Sequence, residues 1–122
     1  MTNMSDATIV RILVIFVNES DLWRDAPLYE VIVHHLKELG VAGATAHAGL
    51  IGFGHHHFVH HKGLFGLAID RPVTIIAVDT EAKIRAIIPD MRTLVREGLV
   101  LLLTAEQIHL DSATDTPGTS ES

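Results

Sequence analysis

Residues 47–66, HAGLIGFGHHHFVHHKGLFG, separate two halves of the chain that share one pattern: strand, helix, strand. The run 55–61 contains five of the nine histidines in the chain, and the whole segment contains five of the nine glycines. The segment is too long for a hairpin turn, and loops of this length inside a compact domain are usually functional or disordered. We interpret it as a recognition loop.

The half before this loop predicts a strand, a helix and a second strand. Residues 9–17 are almost all apolar and mostly β-branched, which is typical of a strand in the middle of a sheet. Asp25 can cap a helix that runs to about Leu39, and Gly40 suits the end of that helix. Residues 41–50 form the second predicted strand.

The half after the loop repeats this order. Residues 73–78 form a third, nearly all β-branched strand. Thr80 can cap a second helix, which we expect to end at Gly98. Residues 99–103 form a fourth strand, and residues 106–110 are a candidate for a short edge strand.

The resulting order, βαββαβ, predicts an α+β domain of the ferredoxin-like class. In this class a four-stranded antiparallel sheet carries both helices on one face. The strands are apolar on both faces, so we expect the open face to be buried in a homo-oligomer. The domain is expected over residues 9–110, with the loop at about residues 50–68. Both ends, 1–8 and 111–122, are expected to be disordered.

Composition excludes several classes of protein. A length of 122 residues indicates one domain, and every apolar run is far shorter than the ~20 residues that span a bilayer. The chain has no cysteine, which excludes disulfides and zinc–thiolate sites and favours the cytoplasm. A net charge of −6 disfavours nucleic acid as a partner.

The glycines at the start of the loop can bind an anion. Gly49, Gly52 and Gly54 are spaced closely enough for backbone N–H groups to converge on a phosphate. Alternatively, they serve only the geometry of a hinge or bulge. Lys62 is the only fixed positive charge of the loop, and it either meets a phosphate or is solvated.

The histidines of the loop can bind a metal. In an extended segment His55 and His57 share a face, and in a helical one His56/His60 and His57/His61 have i, i+4 spacing. Imidazole suits zinc, copper, nickel and iron. We therefore consider a transition-metal site at His55, His57, His60 and His61. Histidine-rich tracts also bind metals adventitiously, which is the alternative.

Catalytic motifs are not evident. The sequence contains no serine or cysteine nucleophile motif, and Glu19, Asp21 and Asp25 belong to a predicted turn as solvated or capping carboxylates. We therefore expect a protein that is not an enzyme.

Several segments together resemble the PII-like proteins catalogued as "domain of unknown function 190". They are PLYE at 27–30, GVAGAT at 40–45, GLIGFG at 49–54, His60, Pro72–Val73 and EGLV at 97–100. The resemblance covers roughly residues 9–110. It implies a ferredoxin-like fold, a compact homotrimer and a long T-loop between the second and third strands.

The resemblance also implies a function: non-enzymatic signalling through an adenine nucleotide (ATP, ADP or AMP) bound in clefts between subunits. The T-loop would contact a membrane transporter, a channel or an enzyme. The nucleotide-binding residues carried over by the resemblance or suggested by the loop chemistry are Gly49, Gly52, Gly54, His60, Lys62, Arg96 and Gly98. The alternative function is a metal-binding or metal-tolerance protein that uses the histidines of the loop.

Overall fold

The computed structural model describes residues 7–52 and 70–110. The elements in chain order are β1 (Ala7–Asn18), β2 (Leu22–Trp23), β3 (Ala26–Pro27), α1 (Leu28–Glu38), β4 (Gly43–Ala48), β5 (Pro72–Asp79), α2 (Glu81–Leu94) and β6 (Leu99–Ile108).

Four of these strands form one antiparallel sheet in the order β4-β5-β1-β6. In the register of the sheet, Ile15 of β1 lies opposite Ile75 of β5 on one side and Val100 of β6 on the other. The remaining pair, β2 and β3, forms a separate small hairpin. The predicted ferredoxin-like class is therefore confirmed.

The core lies between the helices and one face of the sheet. Alternate residues of the two central strands point into it, and each helix contributes residues three or four positions apart. Each valine, leucine, isoleucine or methionine among them contributes roughly 1.5–3 kcal/mol when fully buried. The members are Leu13, Ile15, Val17, Val73, Ile75 and Ala77 from the sheet, and Leu28, Ile32, Leu36, Ile84, Ile87, Met91 and Leu94 from the helices.

The start of α1 differs from the prediction. Asp25 does not cap the helix, because the chain first makes the β2–β3 hairpin and Pro27 then takes the cap position without a side-chain hydrogen bond. Arg24 at the hairpin tip has a φ of 59°, and its guanidinium lies 5.5 Å from the centre of the Trp23 ring. This positive φ turns the chain where a helical start was expected.

The other helix ends agree with the predictions in part. Gly40 has a φ of 82° just after α1, and the Thr80 hydroxyl accepts a hydrogen bond of 3.2 Å from the backbone N–H of Lys83, so both expected ends are confirmed. The prediction that α2 ends at Gly98 is wrong, because Val95 is already extended and the helix ends at Leu94.

The strand bounds also change. β1 begins at Ala7 rather than at residue 9, so residues 7 and 8 belong to the sheet. The two short strands expected at 99–103 and 106–110 are one continuous β6, paired with β1 from Phe16–Leu99 to Ala7–Ile108. The other residues expected to be disordered, 1–6 and 111–122, lie outside the described residues.

Candidate functional site

One end of the sheet collects the described residues that were predicted to bind nucleotide. β4 and β1 finish at this end, while β5 and β6 begin there. Gly49 and Gly52 follow β4, and Arg96 and Gly98 precede β6. The fold therefore brings both ends of the connection between β4 and β5, and the turn after α2, to the same edge of the molecule.

The start of the loop that follows β4 packs closely on Pro72. The backbone N–H of Gly49 donates a 2.7 Å hydrogen bond to the Pro72 carbonyl. A Cβ at Gly49 would lie 2.9 Å from Cγ of Pro72, and one at Gly52 would lie 3.2 Å from the same atom. Close packing on Pro72 thus explains why glycine occupies both positions. Their contact with a phosphate stays a prediction.

The segment just before β5 is tied to the turn after β1. The Ser20 N–H donates a 2.9 Å hydrogen bond to Asp70 Oδ1, and the Ser20 hydroxyl donates to Oδ2 of the same carboxylate. The Glu19 N–H donates to the Arg71 carbonyl at 2.8 Å, and the two side chains form an ion pair at 3.6 Å. We call this group, Glu19, Ser20, Asp70 and Arg71, the loop clip.

The loop clip was missed by sequence reasoning. It joins residues that are about 50 positions apart, so no local pattern could pair them. Glu19 was expected to be solvated or capping and is instead ion-paired. Asp21 accepts a 2.9 Å hydrogen bond from the Asn18 N–H, which closes the turn that presents Ser20.

Gly98 holds the opposite corner of this sheet end. A Cβ there would lie 2.6 Å from the carbonyl oxygen of Phe16, so only glycine allows β6 to begin this close to β1. Three strand spacings separate β4 from β6, which is about 14 Å. One phosphate, held by hydrogen bonds of about 3 Å, cannot contact Gly49 and Gly98 of the same chain.

The sheet face that carries no helix is apolar and exposed. Phe16 is 36% exposed, Leu99 49%, Leu101 42% and Leu103 47%. Their register neighbours on β5 and β1, such as Ile76 and Val14, are half-buried. We call this surface the bare face.

An ion cluster lies where α2 begins. Glu81 accepts hydrogen bonds from Arg85 Nε, at 3.1 Å, and from Arg11 Nη1. The hydrogen bond from Arg85, and then the one from Arg11, lower the pKa of the Glu81 carboxyl from its ordinary value of 4.5. Arg11 also donates to the Leu103 carbonyl at 3.2 Å, so the cluster ties α2 to β6.

The remaining predicted site residues lie outside the described residues. They are Gly54, His55, His57, His60, His61 and Lys62. Within 7–52 and 70–110, no group of three or more His, Cys, Asp or Glu side chains is placed to hold a metal. The metal-binding alternative therefore has no support from the described part of the chain.

No helix in residues 7–52 and 70–110 is long and apolar enough to cross a membrane.

A family model matches most of the chain. The DUF190 model, described as "Uncharacterized ACR", matches residues 10–107. A UPF0166 protein of Methanocaldococcus jannaschii is 30% identical over 94 residues, covering 77% of this chain and 86% of that protein. A UPF0166 protein of Aquifex aeolicus is 29% identical over 100 residues, covering 82% and 94% respectively.

Solved structures of PII-like proteins share the fold. CPII of Thiomonas intermedia K12, bound to ADP, AMP and acetate, matches with a TM-score of 0.59 and 18% identity, covering 82% of this chain and 89% of that one. A protein of Thermus thermophilus described as PII-like matches with a TM-score of 0.53 and 14% identity, covering 83% and 89%. At these identities the likeness shows the fold alone.

Proposed function

The chain belongs to the DUF190 family, and from this membership we propose that it is a non-enzymatic, cytoplasmic PII-like signalling protein. It forms a homotrimer and binds an adenine nucleotide in clefts between subunits. Its T-loop transmits the state of the cleft to a partner protein, either a membrane transporter or channel or an enzyme.

The bare face is the observation that carries this proposal. Four large apolar side chains on one sheet face, each at least 36% exposed, form a surface that soluble monomers rarely leave open. Burying them against other copies stabilises the assembly by about 25 cal/mol for each Å² of apolar surface removed from water. In a closed ring of three copies every copy turns the same face toward the symmetry axis, and each interface joins different parts of that face on neighbouring copies.

Assembly also supplies what one chain lacks at the proposed nucleotide site. Because Gly49 follows β4 and Gly98 precedes β6, three strand spacings or about 14 Å away, a phosphate group bound at one of them leaves the other free, and a second copy closes the open side of the site. Arg96 adds a positive charge beside Gly98. Gly52, Gly54, His60 and Lys62 complete the proposed set from the T-loop. The ADP and AMP in the CPII structure indicate the class of ligand to test.

The loop clip provides a route from the cleft to a partner. It fixes the end of the T-loop at Asp70 and Arg71, while Gly49 fixes its start on Pro72. A ligand that contacts the segment between these anchors changes its order without moving the sheet, as in other signalling loops. The partner protein responds to that change in the order of the loop.

Isothermal titration with ATP, ADP and AMP tests the ligand. We expect at least one of them to bind, and Arg96→Glu to weaken that binding about tenfold because it places a negative charge near the phosphates. The matched control is Lys37→Glu, which reverses a charge on α1 and leaves the affinity unchanged. Absence of heat with all three nucleotides would contradict the proposal.

A further inference from the structure

A groove runs between α2 and β6 on the helix side of the sheet. Its volume is about 290 Å³, near the lower limit for a small binding pocket. Leu13, Ile88, Val100 and Leu102 form an apolar floor, and Arg85 and Arg92 lie at its border on α2. The groove exists because α2 covers the central strands and leaves Val100 41% exposed, although this residue points to the helix side.

The outer edge of β6 borders the same groove. β6 is the last strand of the sheet, so none of the described strands pairs with its outer side. Proteins usually protect such an edge with charged side chains, above all lysine, or with a proline, a bulge or a short strand. The ten residues of β6, LVLLLTAEQI, include one charged residue, Glu106, but neither lysine nor proline, and their register with β1 is unbroken. Along this edge, a row of backbone donors and acceptors is left unpaired by the described strands.

The charge of the groove differs from that of the whole chain. The net charge is −6, yet the described residues that line the groove include two arginines and no acidic residue. Arg85 bonds to Glu81 at 3.1 Å, whereas Arg92 makes no hydrogen bond or ion pair with any described residue. The two arginines are seven positions apart on the helix, which is about 10.5 Å along the axis.

We propose that the β6 edge accepts an extended segment of a partner protein as an additional strand. The segment has an apolar residue flanked at two positions on either side by acidic residues. In an extended chain these three side chains point to one face, and the two acids lie about 13 Å apart. The apolar side chain enters the groove between Ile88 and Val100, and the carboxylates meet Arg85 and Arg92.

This surface is separate from the bare face. By the alternation of the strand, Leu99, Leu101 and Leu103 lie on the bare face and Val100 and Leu102 on the groove side, and Leu101 also contributes to the lining of the groove. The trimer proposed above uses the odd-numbered side chains and leaves the even-numbered ones to a partner. Strand addition relies on main-chain hydrogen bonds for affinity and on alternate side chains for specificity, which suits this combination of edge and groove.

Fluorescence anisotropy with two synthetic peptides tests the proposal on the full chain. The probe is fluorescein-labelled TSEVLVETS, and its matched control is TSKVLVKTS. We expect the acidic peptide to bind about tenfold more tightly than the basic one. Arg92→Glu should remove this preference. Lys83→Glu, a charge reversal elsewhere on α2 where the Lys83 Nζ lies beside Gly40, should leave it unchanged.

Four results would overturn the proposal. The first is absence of binding by the acidic peptide up to about 1 mM. The second is equal binding of both peptides by the wild type, which needs no folded variant to be informative. The third is binding that survives Val100→Asp in a variant whose circular dichroism matches the wild type. A change of sedimenting mass in Arg92→Glu would also overturn it, because the groove would then be an interface between copies.

Discussion

The two faces of the four-stranded sheet are built from neighbouring residues of the same strands but end in different environments. Leu13, Ile15 and Ile75 are fully buried against α1 and α2. Phe16 and Leu101, on the other face, are 36% and 42% exposed. Both faces are equally apolar in the sequence, so hydrophobicity does not distinguish them.

The difference shows that this chain completes one of its two layers by itself. Two helices of 11 and 14 residues cover one face of the sheet. A sheet with two apolar faces needs a layer on each side, since stable domains bury every apolar face. Within residues 7–52 and 70–110 no element covers the second face. In the proposed assembly other copies of the chain supply that layer, and the predictions below separate the two faces experimentally.

The largest contrast is expected between Ile75→Ala and Ile76→Ala. Ile75 is fully buried beneath the helices, so its truncation should cost about 2–5 kcal/mol at every protein concentration. Ile76 is half-buried on the bare face. The loss of unfolding free energy caused by Ile76→Ala should become smaller on dilution, because a second copy supplies part of the packing of Ile76. Urea denaturation at two protein concentrations measures both. Equal, concentration-independent costs would mean that the bare face has no partner.

A smaller effect is expected from Gly98→Ala, at the point where β6 joins the sheet and both faces begin. Its Cβ would lie 2.6 Å from the Phe16 carbonyl oxygen, so the backbone must shift, at about 1–3 kcal/mol. Gly43→Ala is the matched control, because a Cβ there meets nothing within 4 Å. Thermal denaturation of the two variants decides the point: similar melting temperatures would refute the close approach of β1 and β6.

The smallest effect is expected from Glu81→Gln. Because the folded carboxyl has a pKa below its ordinary 4.5, its ion pairs stabilise the fold above pH 4.5 and lose that contribution as the pH falls through the folded value. The melting temperature of the wild type should exceed that of the variant at pH 7, and the gap should close in acid. Glu106→Gln, on exposed β6, is the control and should show no such gap. A difference in melting temperature that widens in acid would contradict the lowered pKa of the Glu81 carboxyl.

The topology was readable from the sequence because it depends on local patterns. β-branched runs mark the strands, and Thr80 and Gly40 mark helix ends by their own hydrogen bonding and φ. The prediction that Asp25 caps α1 was wrong because a hairpin with a positive φ at Arg24 precedes this helix. Gly98 misled because its role is a close approach to Phe16, a contact between distant residues.

The candidate site was readable only in part for the same reason. Glycine spacing pointed to Gly49 and Gly52, but their packing on Pro72 depends on the pairing of β4 with β5. The Ser20–Asp70 contact depends on the fold bringing a turn against the end of the T-loop. The groove beside Arg92 depends on where α2 lies across the sheet, and no residue pattern encodes that offset.

Sedimentation equilibrium of the wild type and of Leu101→Glu tests most directly whether sister chains cover the bare face. The account predicts about 40 kDa for the wild type, three copies of a 13.3 kDa chain. It predicts a folded 13.3 kDa monomer for Leu101→Glu, because a buried glutamate without a partner opposes assembly. A wild type that sediments at 13.3 kDa, or a variant that remains near 40 kDa, would contradict it.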